Sequence, residues 1–338
     1  MINLVYQLIE PRAFSIKFED IDVAGKVLVR PRCMAICHAD QRYYQGRRDP
    51  AVLKRKLPMA LIHECCGEVL ADPTGTFKPG DRVALIPNVP PKGDLGEFYE
   101  NYVKGARFLS SGHDGFMREI VAIEPRQLVP FSKVPFEVAA ITEFISVAVH
   151  AVTRMTKVAH STRDSFGVWG DGSLGYVVCA VLREFFPKAR ICVFGHHPEK
   201  MALFSFVDEA YDSDQIPADL RVDHAFECTG GNGCASALET IVTHCNPQAT
   251  VMLMGVSETP VPIRTRDVME KGMTLIGCSR SGREDFQQAI AFLEHRVFQQ
   301  RIRRIIHVDA PVRSIGDIIR VFATDTRTPF KTVFKWEM

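Results

Sequence analysis

Three glycines constrain this chain more than any other feature. Gly170, Gly172 and Gly175 follow an apolar run at residues 166–169 and stand at the head of a stretch with helical periodicity. In a G-x-G-x-x-G placed between a strand and a helix, the first glycine permits the tight turn and the second lets a pyrophosphate approach the backbone. The third lets helix and strand pack closely, and the helix N-terminus faces the phosphates. The run Gly170, Gly172, Ser173, Leu174, Gly175 is therefore the candidate dinucleotide-binding turn, and the competing reading is a glycine-rich turn that serves packing alone.

The surrounding rhythm agrees with the first reading. Strand patterns at 166–169, 190–194, 223–227, 250–255 and 274–277 alternate with helical patterns at 175–185, 198–204 and 233–244. This is the βαβ alternation of a doubly wound parallel sheet. Before it, short apolar or β-branched runs at 26–30, 67–71, 82–86 and 117–122 are separated by turn residues, which suits an antiparallel, barrel-like domain. After it come an amphipathic helix at 286–295 and a closing run at 332–336 that alternates like an edge strand of the first domain. A chain of 338 residues suits two cores. The expected division is α/β throughout: a β-rich catalytic domain over 1–145, a Rossmann-type domain over 146–280, and a segment over 281–338 that returns to the first.

An NAD site would place an acidic residue at the end of the second strand of the βαβ unit. Here the sequence offers Gly195, His196, His197 and, soon after, Lys200. Without a carboxylate there, a 2′-phosphate meets no repulsion and finds imidazole and ammonium donors, which favours NADP(H). The alternative is a solvated loop with relaxed cofactor choice.

A metal site is the second expectation. A catalytic zinc takes three protein ligands of nitrogen, sulfur or oxygen and keeps a position open. Cys37 is followed three residues later by Asp40, His63 and Glu64 stand just before a strand, and Glu143 immediately precedes the helix that enters the second domain. Asp40 is placed to orient His63. A lone His-Glu pair would more often be a satisfied core histidine.

Other classes find no support. The net charge of +1 shows no bias toward nucleic acid or anionic membrane. No segment approaches the roughly 20 apolar residues of a membrane span, and Glu10 and Arg12 interrupt the opening apolar run, so no signal peptide is expected and the compartment is read as cytoplasmic. Ten scattered cysteines are read as reduced thiols or metal ligands.

At this point the stretches Cys37-His38-Ala39-Asp40, Ile62-His63-Glu64, Gly115 to Glu119, Glu143 through Ala151, and Phe226 to Gly231 resemble the zinc-containing medium-chain alcohol and polyol dehydrogenases in order and spacing. The opening residues through Leu8, with Ala39 to Tyr44, Ser110 to Phe116 and Ser279 to Gly282, are similar to one branch of them, the bacterial ribulose-5-phosphate reductases, also called ribitol-5-phosphate dehydrogenases. The resemblance implies a GroES-like catalytic domain, one catalytic Zn2+ held by Cys37, His63 and Glu143, and Glu64 as a fourth ligand alternating with water or substrate. It also implies NADP(H), a sugar-phosphate substrate and a product used for teichoic acid or capsule. A homodimer paired through residues 274–277 and a cytidylyltransferase partner follow by the same analogy.

Three departures qualify the likeness. Ala39 stands where many relatives carry a proton-relaying hydroxyl. No cysteine lies between Asp81 and Met117, where many relatives hold a structural zinc. Phe144 replaces a proline that often follows the ligand glutamate. A phosphate substrate calls for fixed cations, and Arg42 and Arg280 are the arginines best placed in the sequence. The cluster Arg296, Arg301, Arg303 and Arg304 reads as a solvated face, and His38 and His113 are further candidates near the site. Two alternatives stay open: a zinc polyol or alcohol dehydrogenase of unphosphorylated substrates, and a non-catalytic dinucleotide-sensing protein.

Overall fold

Strand Val27–Ala35 places β-branched Val27 and Val29 inward and ends in buried Cys33, Met34 and Ala35, so it is central to its sheet. In the computed structural model, which describes every residue except Asp94, it belongs to a unit formed by Met1–Ser146 and Arg280–Met338. The sheet runs Leu128–Pro130, Arg82–Leu85, Glu64–Ala71, Val27–Ala35, Lys331–Trp336 and Ile306–Val312, with Val121–Ile123 also paired to the central strand. The last two strands are parallel, as a pair joined through helix Ile315–Asp325 can be, and the other pairs are antiparallel. Strands Ala13–Asp20, Ile2–Glu10 and Met59–Ala60 form a smaller sheet. Val5, Leu61, Phe116, Phe322, Phe334 and Trp336 fill the shared core.

Two sequence expectations are corrected in this unit. The closing run is an interior strand, flanked on both sides, with only Lys335 exposed among Lys331–Trp336. Polar Thr332 imitated the start of an alternating edge strand but is buried, as is Lys331 before it, whose ammonium is paired. Of 117–122, only Val121 and Ala122 join a strand. Met117 is instead held by backbone bonds, its carbonyl accepting from Tyr6 N–H at 2.9 Å.

The second unit, Val147–Ser279, carries a six-stranded parallel sheet in the order Glu209–Asp212, Arg190–Gly195, Ser165–Trp169, His224–Glu227, Thr250–Leu253 and Thr274–Gly277. This is the doubly wound α/β order expected, with the reversal beside Ser165–Trp169. Trp169 stacks on Phe194 at 4.0 Å and packs with Val222, Ile241 and Val251. The strand at 250 stops at Leu253, short of the expected 255, because the N–H groups of Met254 and Gly255 both turn to the Glu227 carbonyl at 3.1 Å. Strand Glu209–Asp212, absent from the sequence reading, is short and half polar.

Candidate active site

In the first unit, Cys37 is the N-cap of the short helix His38–Tyr44, which brings Asp40 round beneath it. Asp40 is fully buried and gathers four neighbours. Its Oδ1 accepts from Ile62 N–H at 3.0 Å and Ser110 Oγ at 2.7 Å; its Oδ2 accepts from Cys37 N–H at 3.2 Å and lies 3.6 Å from His63 Nδ1. The last distance is an ion-pair contact, too long for the orienting hydrogen bond expected from the sequence. Ile62 and Ser110 both hold left-handed backbone, φ 70° and 66°. For a β-branched residue this is strained, and the bond to Asp40 helps to hold the turn that aims His63.

The donor atoms of Cys37, His63 and Glu64 lie within 4.8 Å of one another, with His63 and Glu64 buried. Burial works against a charged His63, yet Asp40 and Cys37 carry its pKa well above the ordinary value. The group thus draws positive charge. Glu64 Oε2 is buried with no hydrogen-bond partner, as expected of a donor atom that awaits a cation. Nitrogen, sulfur and oxygen donors together suit Zn2+.

Glu143, the remaining residue of the expected ligand set, is not among those whose donor atoms lie this close together. Glu64 follows His63 directly into strand Glu64–Ala71, whereas Glu143 sits in the first turn of helix Thr142–Val158. Glu143 still senses the group: burial pushes its carboxyl up to about 7, His63 opposing and Glu64 adding to the shift.

One residue escaped the sequence reading. Lys331 is 4% exposed, and its Nζ donates to Glu64 Oε1 at 2.6 Å and to the Ile36 carbonyl at 2.8 Å. Burial disfavours its charge, but Glu64 holds the ammonium's pKa above the usual range. The Phe144 ring lies 4.5 Å from Nζ, so the residue that departs from proline covers this ammonium. The sequence carried no signal for Lys331: the alternating run read there began one residue later, at Thr332.

Arg42 lies in the last turn of the helix that Cys37 caps. Arg280 has left-handed backbone, φ 56°, and its Nη1 already donates to the Asn101 carbonyl at 2.9 Å. His113 is exposed, and His38 has a pKa lowered by burial and by Arg42.

In the second unit the glycine turn separates into distinct roles. Gly170 holds φ 126°, and a Cβ on Gly175 would stand 1.8 Å from the Gly170 carbonyl oxygen, so the fold itself requires both. Gly172 has an ordinary φ of −85°, and a Cβ there would meet nothing within 4 Å. Nothing in the protein demands glycine at 172; the space suits a phosphate brought against the N-terminus of helix Ser173–Phe185, which no side chain caps. The turn therefore fits a dinucleotide.

The loop after Arg190–Gly195 carries no acidic residue of its own, as read from the sequence, but carboxylates reach it from other segments. Asp171, within the glycine turn, accepts from His196 N–H and His197 N–H at 2.8 Å each, and its Oδ2 lies 2.9 Å from His197 Nδ1. Because Gly195 pairs with Asp212 across the sheet, His196 also lies 3.6 Å from Asp212 and 3.7 Å from Asp214. The side chain of Lys200, half-buried, makes no ion pair among the described residues. A Cβ on Gly195 would strike Asp171 at 2.5 Å, so an aspartate cannot be placed there without strain. Glu227 also went unassigned in the sequence: its carboxylate accepts from the N–H groups of Thr229, Gly230 and Gly255, tying together the ends of two strands.

Comparison with known proteins gives a consistent result. Residues 23–133 match the alcohol dehydrogenase GroES-like domain, and residues 188–295 match the zinc-binding dehydrogenase domain. The chain is 52% identical to ribulose-5-phosphate reductase of Streptococcus pneumoniae, over 100% of this chain and 98% of that protein. It is 48% identical to ribulose-5-phosphate reductase of Bacillus spizizenii, with 100% of both chains covered. The crystal structure of S. aureus TarJ in complex with NADPH superposes with a TM-score of 0.89 at 39% identity, again over 100% of both chains.

Proposed function

We propose, because the chain belongs to the zinc-binding alcohol dehydrogenase family and within it to the ribulose-5-phosphate reductases, that it reduces D-ribulose 5-phosphate to D-ribitol 5-phosphate with NADPH. The reaction class is carried by the Cys37, His63 and Glu64 group, poised for a cation. Similarity along the full chain supports the substrate. A dinucleotide sensor would have no use for such a donor set.

When bound, zinc supplies a Lewis acid to the ketone and NADPH supplies the hydride. Cys37 and His63 would hold the ion with Glu64, and Glu143 is near enough in charge to complete or exchange that set. Asp40 fixes the turn that presents His63 and balances its charge. Ala39 offers no hydroxyl for the proton that the new alcohol takes. Glu143, whose carboxyl burial raises, and Glu64, with Oε2 unpartnered, are the side chains placed to take part in that proton's delivery. In the second unit, Gly172 and the uncapped helix start would receive the pyrophosphate, with Lys200, His196 and His197 toward the 2′-phosphate.

The finer reading extends beyond the reaction. Thr274–Gly277 ends its sheet with one edge unpaired in the chain, which supports a homodimer joined there. No helix among the described residues is long and apolar enough to cross a membrane, and all ten cysteines are free thiols, which supports a cytoplasmic enzyme. Its product is suited to a cytidylyltransferase that prepares ribitol phosphate for teichoic acid or capsule.

Specificity constants for ribulose 5-phosphate, ribulose and simple aldehydes, each with NADPH and NADH, test the reading. The phosphorylated ketose with NADPH is expected to lead. Equal use of ribulose would replace it with an unphosphorylated-polyol dehydrogenase, and a higher constant with NADH would overturn the cofactor assignment.

A further inference from the structure

The Tyr43 hydroxyl is buried, on a residue 1% exposed, and has no hydrogen-bond partner. A buried hydroxyl left unpaired is costly, and a retained one marks a place where a partner arrives from outside. Two cations attend the same ring: the Arg48 guanidinium carbon lies 4.8 Å from its centroid and Lys56 Nζ 5.8 Å. Lys56 donates to Ser111 Oγ at 2.8 Å and forms no ion pair among the described residues, so two of its three N–H donors are uncommitted.

This group is tied to the metal-binding residues by short links within one unit. Tyr43 stands three residues after Asp40 in helix His38–Tyr44, on the same face. Ser110, the neighbour of Ser111, donates to Asp40 Oδ1 at 2.7 Å, and Asp40 lies against His63. A guanidinium, an ammonium, a phenol and an aliphatic hydroxyl are the donors that a phosphate monoester takes. Arg280 already gives its Nη1 to a backbone carbonyl.

We propose that Tyr43, Arg48, Lys56 and Ser111 form the subsite that receives the substrate's phosphate monoester, at the far end of the sugar from the metal-bound group. The assignment rests on the sugar-phosphate reading above and differs from the arginines that the sequence favoured. It gives the Tyr43 hydroxyl its missing partner.

The test compares specificity constants for ribulose 5-phosphate and ribulose, as a ratio, in wild type, Tyr43→Phe, Arg48→Met and Lys56→Met, with Arg42→Met and Arg280→Met alongside. Inhibition by inorganic phosphate is measured in the same set. The first three variants should each lower the ratio on the order of 10- to 100-fold, the range for hydrogen bonds to a charged group, and should weaken inhibition by inorganic phosphate. Tyr43→Phe guards against a merely structural explanation: it removes a hydroxyl that bonds to nothing in the protein, so its unfolding midpoint should not fall while its ratio does. If wild type prefers the phosphorylated ketose and these three variants keep that preference, the subsite is wrong and the function stands, the more so if Arg42→Met or Arg280→Met abolishes the preference. If wild type reduces both ketoses equally, the functional reading fails and the subsite with it.

Discussion

Lys331 shows how one residue can change the electrostatics of a site it was not expected to join. A lysine that is 4% exposed can stay charged only if paired, and Glu64 at 2.6 Å with the Ile36 carbonyl at 2.8 Å supplies the pairing. Truncating one partner leaves the other charge buried, which typically costs about 3–5 kcal/mol. Lys331→Met should therefore lower stability by about that amount in chemical denaturation, and adding Glu64→Gln should recover part of the loss. A Lys331→Met protein as stable as wild type would show that the pair is not charged. Asp40 is the buried carboxylate beside His63. Burial alone would raise its pKa, but His63, Ser110 and Ile62 together hold it below the usual carboxylate range. Its spacing from Cys37 was legible in sequence. Its bonds to Ser110 and Ile62, 70 and 22 residues away, were not.

At the scale of elements, the turn between strand Ser165–Trp169 and helix Ser173–Phe185 separates fold from function among chemically identical residues. A methyl on Gly175 overlaps the Gly170 carbonyl at 1.8 Å, so Gly175→Ala should destabilise the protein by about 1–3 kcal/mol or more. Gly172→Ala meets open space at an ordinary φ and should change stability by less than about 0.5 kcal/mol. Yet it should weaken NADPH binding roughly tenfold or more, about 1.4 kcal/mol, because the methyl occupies the path of the pyrophosphate. Unfolding curves and fluorescence titration with NADPH separate the two, and a Gly172→Ala protein with unchanged affinity would remove the phosphate from this turn. The glycine pattern was readable because each role depends on local backbone. The neighbouring loop was not, because Asp212 reaches His196 through parallel strand pairing.

Across the whole molecule, the candidate metal donors belong to one unit and the glycine turn with its loop to the other. We expect one tightly held zinc per chain by elemental analysis. Exhaustive chelation should abolish turnover while fluorescence titration still shows NADPH binding, since Gly170 to Lys200 need no metal. Full activity without metal, or two tightly held zincs, would overturn the site. The sequence by itself determined the α/β class, the parallel domain and the Cys37, His63, Glu64 and Gly170 to Gly175 candidates, because hydrophobic period, glycine spacing and donor chemistry are local properties. The tertiary structure decided the rest. It turned residues 331–336 into an interior strand, set Lys331 on Glu64, left Glu143 beside the compact donor group, brought acid to the His196 loop and gathered Arg48 and Lys56 on Tyr43. Each of these depends on which distant groups meet once burial removes water and makes every charge and hydroxyl find a partner in the protein or in its ligand.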